Sequence, residues 1–366
     1  MIFLKKLLLF WVLFFCLFNF LTYAKQKIII DSDFAMFSDD AYALAMLSGA
    51  GDVDILGVTV VPGNVWLEEG IAYALRFLEI IARSEIPVVP GAIEPLMGNM
   101  QAVLGPIEEI WGKSEYTGAY SRPQPTSYIN LGTTSEQPYG GYAHTKPFNM
   151  GAVEFIASSV HKNPGEITLF ALGPCTNIAL FVKSYPDLVP LVKRIIYMGG
   201  AFDVPGNTTP AAEFNFWFDP EAAKICLRSP FKEQIIVPLD ICEKVFYTKE
   251  QYDKITAGPD SPLVEMFKYY HGPLFEEDPD YKSFVWDSIT AAIFLQPDIV
   301  KKMEERFVDV DTAFGPDYGR SLGYGNARGR NVEKSTGFPA GTQKAKIIFD
   351  IDRDKFWSLF ISSMHK

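Results

Sequence analysis

Short apolar, β-branched runs alternate along the chain with stretches whose apolar residues recur at helical spacing. The runs at 27–31, 55–61, 166–172, 194–198, 234–239 and 345–350 read as strands. The stretches at 39–47, 66–83, 150–161, 177–184, 219–228, 287–294 and 354–364 read as helices. Strands that are apolar throughout are buried on both faces. With helices between them they predict an α/β fold: an open, mostly parallel sheet with helices on both faces. Ligands of such sheets sit beyond the carboxyl ends of the strands, so the residues that follow each strand carry the functional question. Two stretches, 98–146 and 256–284, are rich in Gly, Pro, Tyr and Trp and read as loops decorating the sheet.

Residues 1–24 stand apart. Lys5 and Lys6 precede an almost wholly apolar run from Leu7 to Leu21, and Thr22-Tyr23-Ala24 places small residues where signal peptidase needs them. A spanning helix needs ~20 apolar residues. This run is shorter and ends at a cleavage site, so it reads as a signal peptide. Residues 25–366 are then one exported domain, periplasmic or secreted, with no stable membrane anchor. Losing Lys5 and Lys6 takes the formal net charge from −11 to −13. Such a surface repels phosphate backbones and argues against nucleic acid as a partner. The remaining cysteines, Cys175, Cys226 and Cys242, are odd in number and lack C-x-x-C spacing, so they offer neither a disulfide framework nor a thiolate metal site.

The chemistry gathers after the first strand. Asp31 and Asp33 end it, and Asp39-Asp40 opens the next helix. Four carboxylates this close repel one another. They are either a solvated loop with Ser38 or Asp39 as helix cap, or the ligands of a hard cation such as Ca²⁺. The absence of Lys and Arg nearby favours the cation. A D-x-D at a strand end also suits phosphohydrolases with an aspartyl nucleophile. The further motifs that chemistry requires, including a phosphate-holding Lys, have no convincing match.

Asp31-Ser32-Asp33 with Asp39-Asp40-Ala41 resembles the N-terminal signature of the inosine–uridine-preferring nucleoside hydrolases. Further blocks follow in the order of that family: Gly57 to Val65 containing Asn64, Ala171 to Asn177, Met198 to Ala201, Gly206-Asn207, Pro210 to Asn215, and Asp219 to Ala222. The resemblance runs from about Lys27 to the C-terminal helix. It implies hydrolysis of the N-glycosidic bond of a ribonucleoside, with Ca²⁺ as cofactor and a homodimer or homotetramer as assembly. By match, Asp33, Asp40, Asp287 and the backbone carbonyl of Thr176 would hold the ion. Asp33 would also take the proton from the attacking water. Asp39 and Asn64 would hold ribose hydroxyls, while Asn207, Glu213 and Asn215 would surround the rest of the sugar.

Two departures bear on this. Five residues, Phe34 to Ser38, separate Asp33 from Asp39 where the family commonly has three, and Phe37 stands where some relatives carry a further acid. Trp286 occupies the place, just before the last metal-binding Asp, of a His often proposed as general acid, and Trp111 falls near another family His. Purine-specific members use tryptophans there to sandwich the base, so the sequence predicts stacking by Trp286 and Trp111 and a purine preference. His271 reads as a solvated loop residue that could still supply an acid. The alternative from another class is a noncatalytic periplasmic riboside-binding protein on the same fold.

Overall fold

The computed structural model describes residues 25–98, 101–114, 116–133, 135–325 and 338–366. The signal peptide expected at 1–24 lies outside the described residues.

The strands of the main sheet are β1 (Gln26–Ser32), β2 (Val53–Val60), β3 (Val88–Pro90), β4 (Thr168–Ala171), β5 (Arg194–Met198) and β6 (Gln234–Val237). A two-stranded pair, β7 (Phe246–Tyr247) and β8 (Ser283–Phe284), lies apart, and β9 (Val300–Val310), β10 (Ser321–Tyr324) and β11 (Gln343–Ile351) complete the nine-stranded sheet. Its order is β10-β9-β11-β6-β5-β4-β1-β2-β3. From β3 to β11 every pair is parallel, and β9 alone runs the other way, antiparallel to both β11 and β10.

The helices are α1 (Asp39–Ser48), α2 (Leu67–Ile80), α3 (Gln101–Trp111), α4 (Ala152–Lys162), α5 (Thr176–Ser184), α6 (Phe214–Phe218), α7 (Pro220–Leu227), α8 (Leu239–Cys242), α9 (Lys249–Thr256), α10 (Pro262–Glu277), α11 (Trp286–Leu295) and α12 (Arg353–Met364). The pleat of β1 shows how they divide. Ile28 and Ile30 enter the core shared with α1, α2, α11 and α12. Ile29 points to the opposite core, under α4, α5 and α7. Continuous apolar strands are what such a two-sided burial requires.

The chain passes from β1 to β2 and β3 on one side, then returns to place β4, β5 and β6 on the other. The strand order therefore reverses between β1 and β4, which opens a crevice at their carboxyl ends. The loop reading of 98–146 and 256–284 is corrected in part. The first stretch contains α3, and the second contains the sixteen-residue α10. Ser261 caps α10 by accepting from the Val264 amide, with Pro262 at the first helical position. Leu263, Val264, Phe267, His271 and Phe275 supply its buried face.

Candidate active site

Asp33 follows β1, and two glycines fix it there. A Cβ on Gly63 would fall 2.2 Å from its Oδ2, and one on Gly173 would fall 2.7 Å from its amide nitrogen and Oδ1. Its Oδ2 accepts from the Asn64 amide at 2.7 Å. After five intervening residues α1 begins inside the protein, buried from Asp40 to Leu47. Ser38 occupies the N-cap position, but its hydroxyl donates to the Asp40 side chain at Oδ2 (3.0 Å) and accepts from no helix amide. Ser32 donates to the other Asp40 oxygen at 2.5 Å. Asp40 is thus aimed by two serines, while the helix N-terminus favours negative charge at both aspartates.

Asp287, in the first turn of α11, closes the group. Carboxylate oxygens of Asp39, Asp40 and Asp287 lie within 4.8 Å of one another. Asp33 belongs to the same field, because its charge acts on Asp287 and those of Asp40 and Asp39 act on it. Burial is the leading influence on all four and raises each carboxyl above its ordinary range, with Asp39 reaching about 7. Among the described residues, no lysine or arginine is one of the leading influences on them.

Buried carboxylates without a counter-ion must bind protons or a cation. One Asp287 oxygen, Oδ1, is buried without any hydrogen-bond partner. Hard oxygen donors at this spacing suit an ion with bonds of about 2.3–2.6 Å. The residues therefore fit a divalent metal. Thr176 opens α5 beyond β4, and its hydroxyl is committed to Asp219 Oδ2 at 2.6 Å, which leaves its backbone carbonyl as the donor it could offer.

A small pocket adjoins the acids, lined by Asp39, Asn64, Tyr116, Leu172, Met198, Asn207, Glu213, Phe214, Asn215 and Trp286. Asn64 turns its Nδ2 toward Asp40 at 3.5 Å. Glu213 caps α6, accepting from the amides of Gly200, Asn215 and Phe216, and burial pushes it up to about 7. Asn215 donates Nδ2 to the carbonyls of Leu172 and Met198, at 3.0 and 3.1 Å, so its own Oδ1 remains for a ligand. Asn207 accepts from the Phe214 amide. Chain segments far apart in sequence thus converge on one polar wall.

The aromatic expectations divide. Trp286 lines the pocket, stacked on Phe284 at 5.3 Å. Trp111 is exposed at the end of α3, donates to the Pro316 carbonyl, and lies outside the pocket lining. His271 is not a solvated loop residue. It sits on α10, buried between the hydroxyls of Tyr42 and Tyr247, and burial lowers it to about 3. An imidazole so depressed is neutral at physiological pH and lacks the imidazolium proton a general acid would give to a departing base. Phe37 has an aromatic setting as well. It packs against Tyr42, Phe267, Tyr270 and His271, so the longer loop is anchored on α10. Tyr116, Leu172, Met198 and Phe214 were not singled out from the sequence. A lone tyrosine in a loop or an apolar residue at a strand end carries no local signal of a ligand.

Residues 28–358 match the profile of the inosine-uridine preferring nucleoside hydrolase family. The chain belongs to this family. It is 31% identical over 277 residues to uridine nucleosidase 1 of Arabidopsis thaliana, covering 75% of each chain. It is also 31% identical over 280 residues to the pyrimidine-specific ribonucleoside hydrolase RihA of Escherichia coli, covering 75% of this chain and 81% of that one. A solved plant nucleoside hydrolase, PpNRh1, superposes with a TM-score of 0.74 at 26% identity, over 93% of this chain and 99% of the other. The purine-preferring ribonucleoside hydrolase of Gardnerella vaginalis shares the fold, with a TM-score of 0.70 at 22% identity and coverage of 93% and 98%. The sheet order and the acid-floored crevice of this nucleoside hydrolase therefore agree with the membership.

Proposed function

We propose that this nucleoside hydrolase cleaves the N-glycosidic bond of ribonucleosides with Ca²⁺ as its metal and prefers purines. The observation that carries the metal is the group of buried, uncompensated carboxylates with the unpartnered Oδ1 of Asp287. Asp33, Asp40, Asp287 and the Thr176 carbonyl would hold the ion. When bound, Ca²⁺ supplies a Lewis acid that neutralises the acids and acidifies water. Asp33 accepts the proton of the attacking water, its orientation held by the Asn64 amide. Asp39 and Asn64 hold ribose hydroxyls, while Asn207, Glu213 and Asn215 bind the opposite side of the sugar. An anionic pocket favours the positive charge that develops on the ribosyl group as the bond breaks.

The base departs beside Trp286, whose indole would stack on it. No histidine is among the described residues lining the pocket, and His271 is unprotonated. A stacked purine, protonated at its own ring nitrogen by solvent, needs no side-chain acid. The relatives named for uridine and pyrimidines favour a second reading, in which pyrimidine nucleosides turn over fastest. The reading also includes export after cleavage near Ala24, checked by the N-terminal sequence of the protein recovered outside the cytoplasm.

Release of reducing sugar from inosine, adenosine, guanosine, uridine and cytidine, with Ca²⁺ and with chelator, tests the proposal. Calcium-dependent release, faster from purines, is expected. Faster release from pyrimidines would keep the hydrolase and remove the purine preference. Binding without release from any nucleoside would make the protein a riboside binder.

A further inference from the structure

Ser114 and residues 116–119 touch two parts of the sugar wall. At one end the Ser114 hydroxyl lies within donating distance of two carbonyls, that of Tyr116 at 2.9 Å and that of Thr208, next to Asn207, at 3.2 Å. At the other, the Ala119 amide donates to the Gly63 carbonyl at 2.8 Å, next to Asn64. Gly118, at φ +55, packs so closely there that a Cβ would fall 2.2 Å from the Gly63 carbonyl oxygen. Between these two attachments Tyr116 lays its ring on Phe214, with centroids 5.0 Å apart, and its hydroxyl donates to Asn64 Oδ1 at 2.6 Å.

We propose that Tyr116 is a positioning residue that fixes the Asn64 carboxamide and thereby sets how a sugar hydroxyl is recognised. The inference rests on the hydrolase reading above. With Oδ1 engaged by Tyr116, Asn64 turns its Nδ2 toward the acids. A sugar hydroxyl at that point accepts from Nδ2 and gives its own hydrogen to a carboxylate. Both of its hydrogen-bonding roles are then used. A freely rotating carboxamide could offer its oxygen instead and compete for the hydroxyl's hydrogen. Fixing it makes the site demand the hydroxyl, because an analogue without it leaves a buried donor and a carboxylate unpaired.

Tyr116→Phe keeps the ring on Phe214 and removes only the hydroxyl, and the side chain is 48% exposed, so the fold should persist. Wild type and variant are compared on the best ribonucleoside and on its 2′-deoxy and 3′-deoxy analogues, by kcat/KM or by Ki where an analogue is not turned over. The variant is expected to lose about tenfold on the ribonucleoside, the size of one good hydrogen bond to a charged network. It should lose nothing on the analogue that lacks the hydroxyl facing Asn64. In an Asn64→Ala background, Tyr116→Phe should have no further effect. Equal losses on all three compounds, no loss on any, or additive losses in the double variant would overturn the inference while the hydrolase reading stands. A wild type that hydrolyses no nucleoside would overturn both.

Discussion

At the scale of single residues, the site is a balance between burial and charge. Asp287 is buried, carries an unpartnered oxygen, and is held up in pKa first by desolvation and then by Asp39, Asp40 and Asp33. Asp287→Asn keeps the shape and removes one ionisable carboxyl. In metal-free protein this removes the cost of burying that group charged or of protonating it, so the melting temperature should rise by about 2–5 °C. Activity should fall by roughly a hundredfold or more, and the stabilisation by added Ca²⁺ should shrink, since a carboxylate ligand is lost. Calcium titrations followed by thermal unfolding check both signs together, and a variant that still gains the wild-type shift would remove Asp287 from the metal site. Trp286 makes a different demand. If its indole stacks the base, Trp286→Ala should raise KM for inosine about tenfold, within the ~1–3 kcal/mol of a base on an aromatic ring. A smaller effect on uridine is expected. Equal effects on both bases would leave Trp286 as packing against Phe284 alone.

At the scale of elements, the parallel strands other than the three-residue β3 and most helices were legible because local pattern and final environment agree. The 27–31 run was read as a strand because Ile28, Ile29 and Ile30 are consecutive, and they are consecutive because β1 has a core on each face. The acids at its end were legible for the same reason, since charge has no place in such a strand except where it stops. β9 escaped notice because its first half, with Lys301, Lys302 and Met303 exposed, alternates little, and it joins the sheet by antiparallel pairing to β11. α10 was hidden by glycine, proline and tyrosine, although Ser261-Pro262 is a helix start. The burial of His271 and the place of Phe37 were beyond local reading, because each is set by contacts between α1 and α10. That pairing yields a prediction at its own scale. Phe37→Ala should cost about 1–2 kcal/mol, less than a fully buried phenylalanine, by removing the aromatic contact between the metal-site loop and α10. Because the loop leads directly into Asp39 and Asp40, it should also weaken Ca²⁺ binding severalfold. Denaturant unfolding and a calcium titration separate the two effects, and unchanged calcium affinity in a destabilised variant would make Phe37 a packing residue only.

At the scale of the whole molecule, the site ties folding to both pH and metal. Asp31, Asp39 and Glu213 are each raised by burial to about 7, and Asp33 and Asp287 are also raised. In the unfolded chain such groups titrate near 4. Between about pH 4 and pH 7 the folded metal-free protein therefore binds more protons than the unfolded one, and stability falls as pH rises through that window. His271 acts in the opposite sense: its folded pKa of about 3 lies below the unfolded value of about 6.5, so its contribution improves as pH rises. One imidazole set against this group of carboxylates does not reverse the slope. A cation and protons compete for the same oxygens, so Ca²⁺ should stabilise little at pH 5 and much more at pH 7.5. Thermal unfolding in chelator should then give a lower melting temperature at pH 7.5 than at pH 5, with added Ca²⁺ reversing the order. A chelated protein that becomes steadily more stable toward pH 7.5, or a calcium shift of equal size at both pH values, would mean that the buried acids are compensated by something other than protons and metal.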